Sequence, residues 1–171
     1  MPNKFRVAVF AAALSVLGAC ATAEPTANTM HAQPMMQPYL AQGLVRVQSR
    51  YGFDETVARI RADVAAKGIR EFAVVAQSAL AHEANIDLRP STLIIFGNPA
   101  LGTQFITANP NAGIDWPVRV LVYQDEAGVV WATYNDFQYL ARRHHIANRS
   151  EAFAMADRVI HSILDSVRAA P

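Results

Sequence analysis

The chain has 171 residues, of which 52% are hydrophobic and 17% charged, with a formal net charge of +1. That length and apolar content supply one domain with a real core and no second domain of useful size. There is no basic tract, and the aromatics are not interleaved with Lys or Arg, so nucleic acid is excluded as an expected partner.

At the start, MPNKFR brings Lys4 and Arg6 ahead of an uncharged run, residues 7–17, too short to span a bilayer comfortably as a helix. This is the charged-then-apolar pattern of a secretory signal. The run ends in Leu17, Gly18, Ala19 and Cys20, which is similar to the lipobox of bacterial lipoproteins, where the cysteine is diacylated and becomes the mature N-terminus. Cleavage after Ala23 is the alternative, because Ala21, Thr22 and Ala23 also fit a small-x-small site.

The expected organisation is therefore a signal peptide over residues 1–19, a lipidated Cys20 with a flexible tether through residue 42, and a folded domain over residues 43–171. Losing residues 1–19 takes Lys4 and Arg6 from the 15 basic residues and leaves 13 against 14 acidic ones, a net charge of −1. An acylated cysteine cannot form a disulfide, so the domain must be stable through its apolar core. Ala21 rather than aspartate after Cys20 points, by analogy with enterobacterial sorting, to the outer membrane and its periplasmic face. A soluble periplasmic or secreted protein is the alternative location.

The tether contains Pro25, Pro34 and Pro38, has little periodicity and cannot bury enough surface to order itself. At roughly 3.3 Å per extended residue it could hold the domain some tens of ångströms from the bilayer. Its Met30, His31, Met35 and Met36 are ligand types that suit Cu(I). The composition of a Pro-, Ala- and Gln-rich tether accounts for them without a metal, and neither metal nor cofactor is assigned.

Leu44, Val45 and Val47 predict a first strand. Asp54 then reads as the N-cap of a helix carrying Val57, Ile60 and Val64 on one face, with Lys67 and Gly68 as its stop. A second strand is predicted over residues 72–75 and a helix over residues 79–84, ending near Asn85. Residues 92–96 form a continuous apolar run that suits a strand buried on both faces. Gly97 supplies the freedom for a sharp turn, Asn98 caps the next helix, and Pro99 occupies its first position, where a missing N–H costs nothing. That helix is expected to reach Ala108, before a turn cluster of Asn109, Pro110, Asn111 and Gly113.

Residues 118–123 and 129–134 read as a β-hairpin, followed by a helix over residues 136–145. Asn148 and Glu151 have capping-box spacing ahead of a strong last helix, whose apolar face is Phe153, Ala156, Ile160, Ile163, Leu164 and Val167. Early alternation, a hairpin and closing helices predict an α+β fold, a two-layer α/β sandwich with one sheet of about five strands covered by helices.

The run Leu88, Arg89, Pro90, Ser91, Thr92, Leu93, Ile94, Ile95, Phe96, Gly97, Asn98, Pro99, with Leu101, Gly102 and Thr103, resembles the central signature of the family called domain of unknown function 302. The later Ile114, Asp115, Trp116, Pro117, Val118, Arg119, Val120, Leu121, Val122 and Tyr123, with Tyr134 and Asn135, resembles its second signature. The resemblance implies a compact α/β sandwich, often a homodimer, with no established activity. Many members carry an Asp-His pair after the second strand; here Ala76 and Gln77 stand there, and the nearest histidine is His82. Any activity owed to that pair is not expected of this chain.

Candidate chemistry is sparse. His82 and Glu83 fail the H-E-x-x-H zinc spacing because position 86 is Ile86. His144 and His145 point about 100° apart on a helix, so with Arg142 and Arg143 they read as a polar helix end. Arg119, inside an apolar strand, is expected to pair with Asp115 or Asp125, and Trp116 to be a rim aromatic. The turn at Gly97, Asn98 and Thr103, with Asp115, Trp116 and Tyr134, is the candidate ligand-binding set, for a small anion or small molecule near a helix N-terminus. Its first reading is structural, since the phosphate-loop glycines and lysine are missing.

Two functions stand side by side: a non-catalytic binding or interaction module tethered to a membrane through its lipid and forming a homodimer, or a small hydrolase-like envelope enzyme with a pocket near Asn98. A pocket with convergent polar groups would favour the enzyme.

Overall fold

The computed structural model describes residues 42–169; the signal peptide, Cys20 and the Met/His tether lie outside the described residues. Five strands form one antiparallel sheet in the order β1-β5-β4-β3-β2: β1 (Leu44–Gln48), β2 (Arg70–Ala76), β3 (Ser91–Gly97), β4 (Val118–Gln124) and β5 (Val130–Asn135). The helices are α1 (Phe53–Ala66), α2 (Gln77–Glu83), α3 (Pro99–Ala108), α4 (Phe137–Arg143) and α5 (Ser150–Leu164), with a 3-10 turn over Pro110–Ile114. The α+β sandwich expected from the sequence is the observed fold.

Alternation along the strands sorts the side chains onto two faces. Val47, Ile94, Phe96, Val120, Val122, Ala132 and Tyr134 lie on the buried face and join Ile60 and Val64 of α1, Phe105 of α3, Phe137 of α4 and Ile160 of α5 in one core. Each fully buried Ile, Val or Phe side chain contributes about 2 kcal/mol through removal from water. The other face carries a row across all five strands, Val75, Leu93, Leu121, Thr133 and Arg46. Leu93, Leu121 and Val75 there are only half-buried, so β3 is fully covered on one face rather than on both.

Two helix starts differ from expectation. Helix α1 begins at Phe53 with Gly52 as its N-cap. Thr56 holds that end by donating its hydroxyl to the Gly52 carbonyl at 2.8 Å and sharing a hydrogen bond with Ser49 at 2.7 Å. Asp54 thus falls in the first turn, where it complements the macrodipole instead of capping. Helix α5 starts one residue later than a capping box would require: Arg149 is the N-cap and no side chain caps it, so Asn148 and Glu151 are out of register. The Asn98 reading holds, since its Oδ1 accepts from the Ala100 N–H at 2.9 Å and the Leu101 N–H at 3.4 Å, and Pro99 is the first residue of α3.

Gly97 is not in a left-handed conformation; it is the last residue of β3, paired with Arg70. A Cβ there would make an ordinary contact with the Pro117 side chain at 3.5 Å, so neither backbone angles nor space demand glycine at this position. Gly43 is the stricter case, with φ +76 and the Tyr139 ring where a Cβ would sit, 2.3 Å from it.

Candidate functional site

The turn after β3 is the hub of the site. The end of β3, the first turn of α3, the start of β4, the start of α4, the exit from α1 and one face of α5 meet there around a cavity of about 250 Å³. Its floor is buried and apolar: Phe96, Trp116, Phe137, Ala156 and Ile160. Its exposed lining residues are Lys67, Asn98 and Met155, which mark the mouth. A second cavity of about 210 Å³ lies on the other side of the same turn and shares Gly97, Asn98 and Trp116, adding Phe72, Thr103 and Ile106.

Trp116 is the wall common to both. It is only 9% exposed and packs against two rings, stacked on Phe105 at 4.5 Å and 7° and near-parallel to Phe137 at 5.7 Å and 9°. It is therefore a core aromatic and not the rim residue its position before Pro117 suggests; the Trp116–Pro117 bond is cis. Held against these rings, Trp116 forms a fixed apolar wall for both cavities.

Asp115, next along the chain, turns inward. Its Oδ2 shares a 2.6 Å hydrogen bond with Nε2 of His144, both side chains being buried, while the Arg143 guanidinium stands at 3.7 Å. The neighbouring Asn109 donates from Nδ2 to the His144 carbonyl at 2.8 Å and accepts from the Asn111 N–H. These bonds pin the 3-10 turn to the C-terminal end of α4 and so fix where Trp116 emerges. The ion pair expected for Arg119 is not formed: its guanidinium donates to the Ile114 carbonyl, while Asp125 accepts from the Trp131 indole N–H at 2.7 Å. Asp125 is held below the usual carboxylate range by that indole bond.

Of the candidate ligand set, Gly97, Asn98 and Trp116 line both cavities and Thr103 lines the second. Asp115 and Tyr134 are not in either lining. Tyr134 is buried one ring behind the floor, 6.2 Å from Phe137, with a hydroxyl that has no hydrogen-bond partner. Burial pushes its phenol well above the ordinary range, with the Asp157 and Asp136 carboxylates adding to the effect. The Thr103 hydroxyl donates to the Pro99 carbonyl at 2.6 Å.

The first turn of α3 has little left for an anion. Pro99 has no N–H, Ala100 and Leu101 donate to Asn98 Oδ1, and Gly102 donates to the Asn98 carbonyl at 2.9 Å. What remains unclaimed is the Asn98 side-chain NH₂.

Lys67, Phe137, Met155, Val159 and Ile160 also line the cavity, and none stands out in the sequence as a site residue. The last four are spaced as ordinary helix-face residues, and Lys67 reads as a helix stop. His144 is a further omission: its pairing with Asp115 spans 29 residues, which no local spacing reveals. Among the described residues, no group of three or more His, Cys, Asp or Glu could hold a metal ion.

A family model described as "Domain of unknown function DUF302" matches residues 45–163. Among curated proteins, the fluoride-specific ion channel FluC 1 of Brucella suis biovar 1 (strain 1330) is 38% identical over 145 residues, covering 85% of this chain and 57% of that protein. The fluoride-specific ion channel FluC 2 of Brucella melitensis biotype 1 is also 38% identical, over 85% of this chain and 54% of its own length. The chain thus spans about half the length of these relatives. A solved structure, an uncharacterized conserved DUF302 protein from Bacillus stearothermophilus, superposes with a TM-score of 0.67 at 19% identity, covering 74% of this chain and 98% of the other. At that identity the likeness is one of fold.

Proposed function

Since the chain belongs to the DUF302 family, which is described as of unknown function, we propose from the site itself that it is a non-catalytic binding module whose ligand enters the cavity beneath the Asn98 turn. One observation carries this reading. The cavity is lined by apolar side chains with Lys67 and Asn98 as its polar members, and no His, Asp, Glu, Ser, Thr, Cys or Tyr joins them. A hydrolase needs a nucleophile or activated water beside a base, and the Asp115–His144 pair is spent inside the protein, away from this lining. The spent donors of α3 argue for a mainly apolar small molecule over a free inorganic anion.

The module is held at a membrane through diacylated Cys20, on the periplasmic side. The lipobox-like Leu17–Cys20 run supports this, and so does the relationship to polypeptides named as ion channels. Fluoride conduction is not carried over to this chain, which covers about half of those proteins and whose described residues include no helix long and apolar enough to cross a membrane. The partner for the outer sheet face, with its half-buried row of Val75, Leu93 and Leu121, is a second copy of the chain.

Thermal shift against a panel of small apolar and amphiphilic compounds tests the binding reading. Saturable stabilisation that is lost when the cavity is filled by Ala156→Phe is expected. If nothing in the panel stabilises the protein while a chromogenic ester is hydrolysed, the enzyme reading replaces it. For the anchor, Cys20→Ser should release the protein from membranes, whereas unchanged fractionation with no acyl mass on the wild type would refute it.

A further inference from the structure

The polarity of the cavity is one-sided. Its lining residues include one cation, Lys67, and no acid. Lys67 closes α1 as its C-cap, its side chain is part-exposed, and its ammonium meets the Asp63 carboxylate at 2.5 Å. An ammonium has three donors, so that contact leaves two for a ligand. The pair is part-exposed at the protein surface, with side chains 32% and 23% accessible, so the ammonium can keep Asp63 while its remaining donors turn to a second carboxylate. Asn98 stands at the same mouth with its NH₂ unclaimed, because only its Oδ1 is used to cap α3. Behind the mouth the floor is wholly apolar.

Resting on the cavity reading above, we propose that the ligand is a monoanionic amphiphile, a medium-chain carboxylate whose chain fills the pocket of Phe96, Trp116, Phe137 and Ile160 and whose head is bound by Lys67 and Asn98. Size supports the class. A cavity of about 250 Å³ lies just below the roughly 300–1,000 Å³ of pockets that hold drug-sized ligands, so it suits one short chain. A dicarboxylate would bury its second charge against the floor, and a cationic amphiphile would face Lys67.

The test is isothermal titration of the full chain with octanoate, 1-octanol and octyltrimethylammonium. Octanoate is expected to bind about ten-fold more tightly than octanol, with the cation weakest. Lys67→Gln should bring octanoate to the level of octanol, and Asp63→Asn, which frees the ammonium, should tighten octanoate alone. Binding of octanol as strong as that of octanoate, or an octanoate affinity indifferent to both variants, overturns the carboxylate head while leaving the cavity reading intact. Failure of all three probes to bind overturns the cavity reading and this inference with it.

Discussion

Asp115 and His144 lie 29 residues apart in sequence and 2.6 Å apart in the core, where their hydrogen bond joins the 3-10 turn to the C-terminal cap of α4. Removing one member leaves the other buried without its partner, which costs about 3 kcal/mol. Asp115→Ala is therefore expected to lower the denaturant midpoint with an unchanged slope, and to loosen Trp116 enough to alter its near-UV circular dichroism. A loss under 1 kcal/mol with an unchanged Trp116 signal would show that the pair does not position the site.

Asn98 should divide its two roles between its two side-chain atoms. Asn98→Ala is expected to cost about 1 kcal/mol through the lost cap, measured by chemical denaturation. Asn98→Asp keeps the capping oxygen and should retain stability, yet it replaces the donor at the cavity mouth with a negative charge. Full stability in the Ala variant would contradict the capping geometry.

Much of this architecture is legible in the sequence because it is local. Asn98 and Pro99 announce a helix start, two strand-like runs on either side of a short Gly-containing loop announce the hairpin, and the face from Phe153 to Val167 announces α5. The site is half legible for the same reason. Gly97, Asn98 and Trp116 fall in recognisable signatures, but Lys67 and Ile160 reach the cavity only through the packing of α1 and α5 around the end of the sheet. Asp115 and Tyr134, polar residues beside those signatures, suggest ligand contact. The fold instead gives one a buried partner and the other an apolar enclosure.

Tyr134→Phe removes a buried hydroxyl that has no partner, so it should be neutral or stabilising by up to about 1 kcal/mol and leave ligand binding unchanged. The wild type should also lose stability in alkali. The folded phenol keeps its proton where the unfolded one, near its ordinary value of 10.0, releases it. The folded value is raised, so this contribution is whole below pH 10 and falls as pH rises beyond it. Denaturation midpoints at pH 9 and 11 for the two proteins check this; an equal alkaline loss in Tyr134→Phe would assign the effect elsewhere.

The acid limb has the opposite sign. Glu71, held low by the Arg61 guanidinium, and Asp125, held low by the Trp131 indole, favour the folded state above their ordinary values of 4.5 and 3.8. That contribution is lost as pH falls through their lowered folded values. Asp125→Asn should flatten the decline below pH 4, and an unchanged acid profile would count against the indole contact.

The outer sheet face, with its half-buried apolar row, should behave as an interface. Light scattering at micromolar concentration is expected to give a dimer for the wild type, and a monomer for Leu121→Lys and Val75→Glu, whose side chains share one row of that face. A monomeric wild type would contradict a self-complementary face.

The most direct test of the account is tryptophan emission in a Trp131→Phe background. Trp116, which lines the cavity, is then the one tryptophan left in the chain, because Trp131 is the other of the two. Titrating octanoate should shift Trp116 emission saturably, with the response abolished by Ala156→Phe in the cavity floor. A response that never saturates, or one that survives the filled floor unchanged, would contradict binding in this cavity.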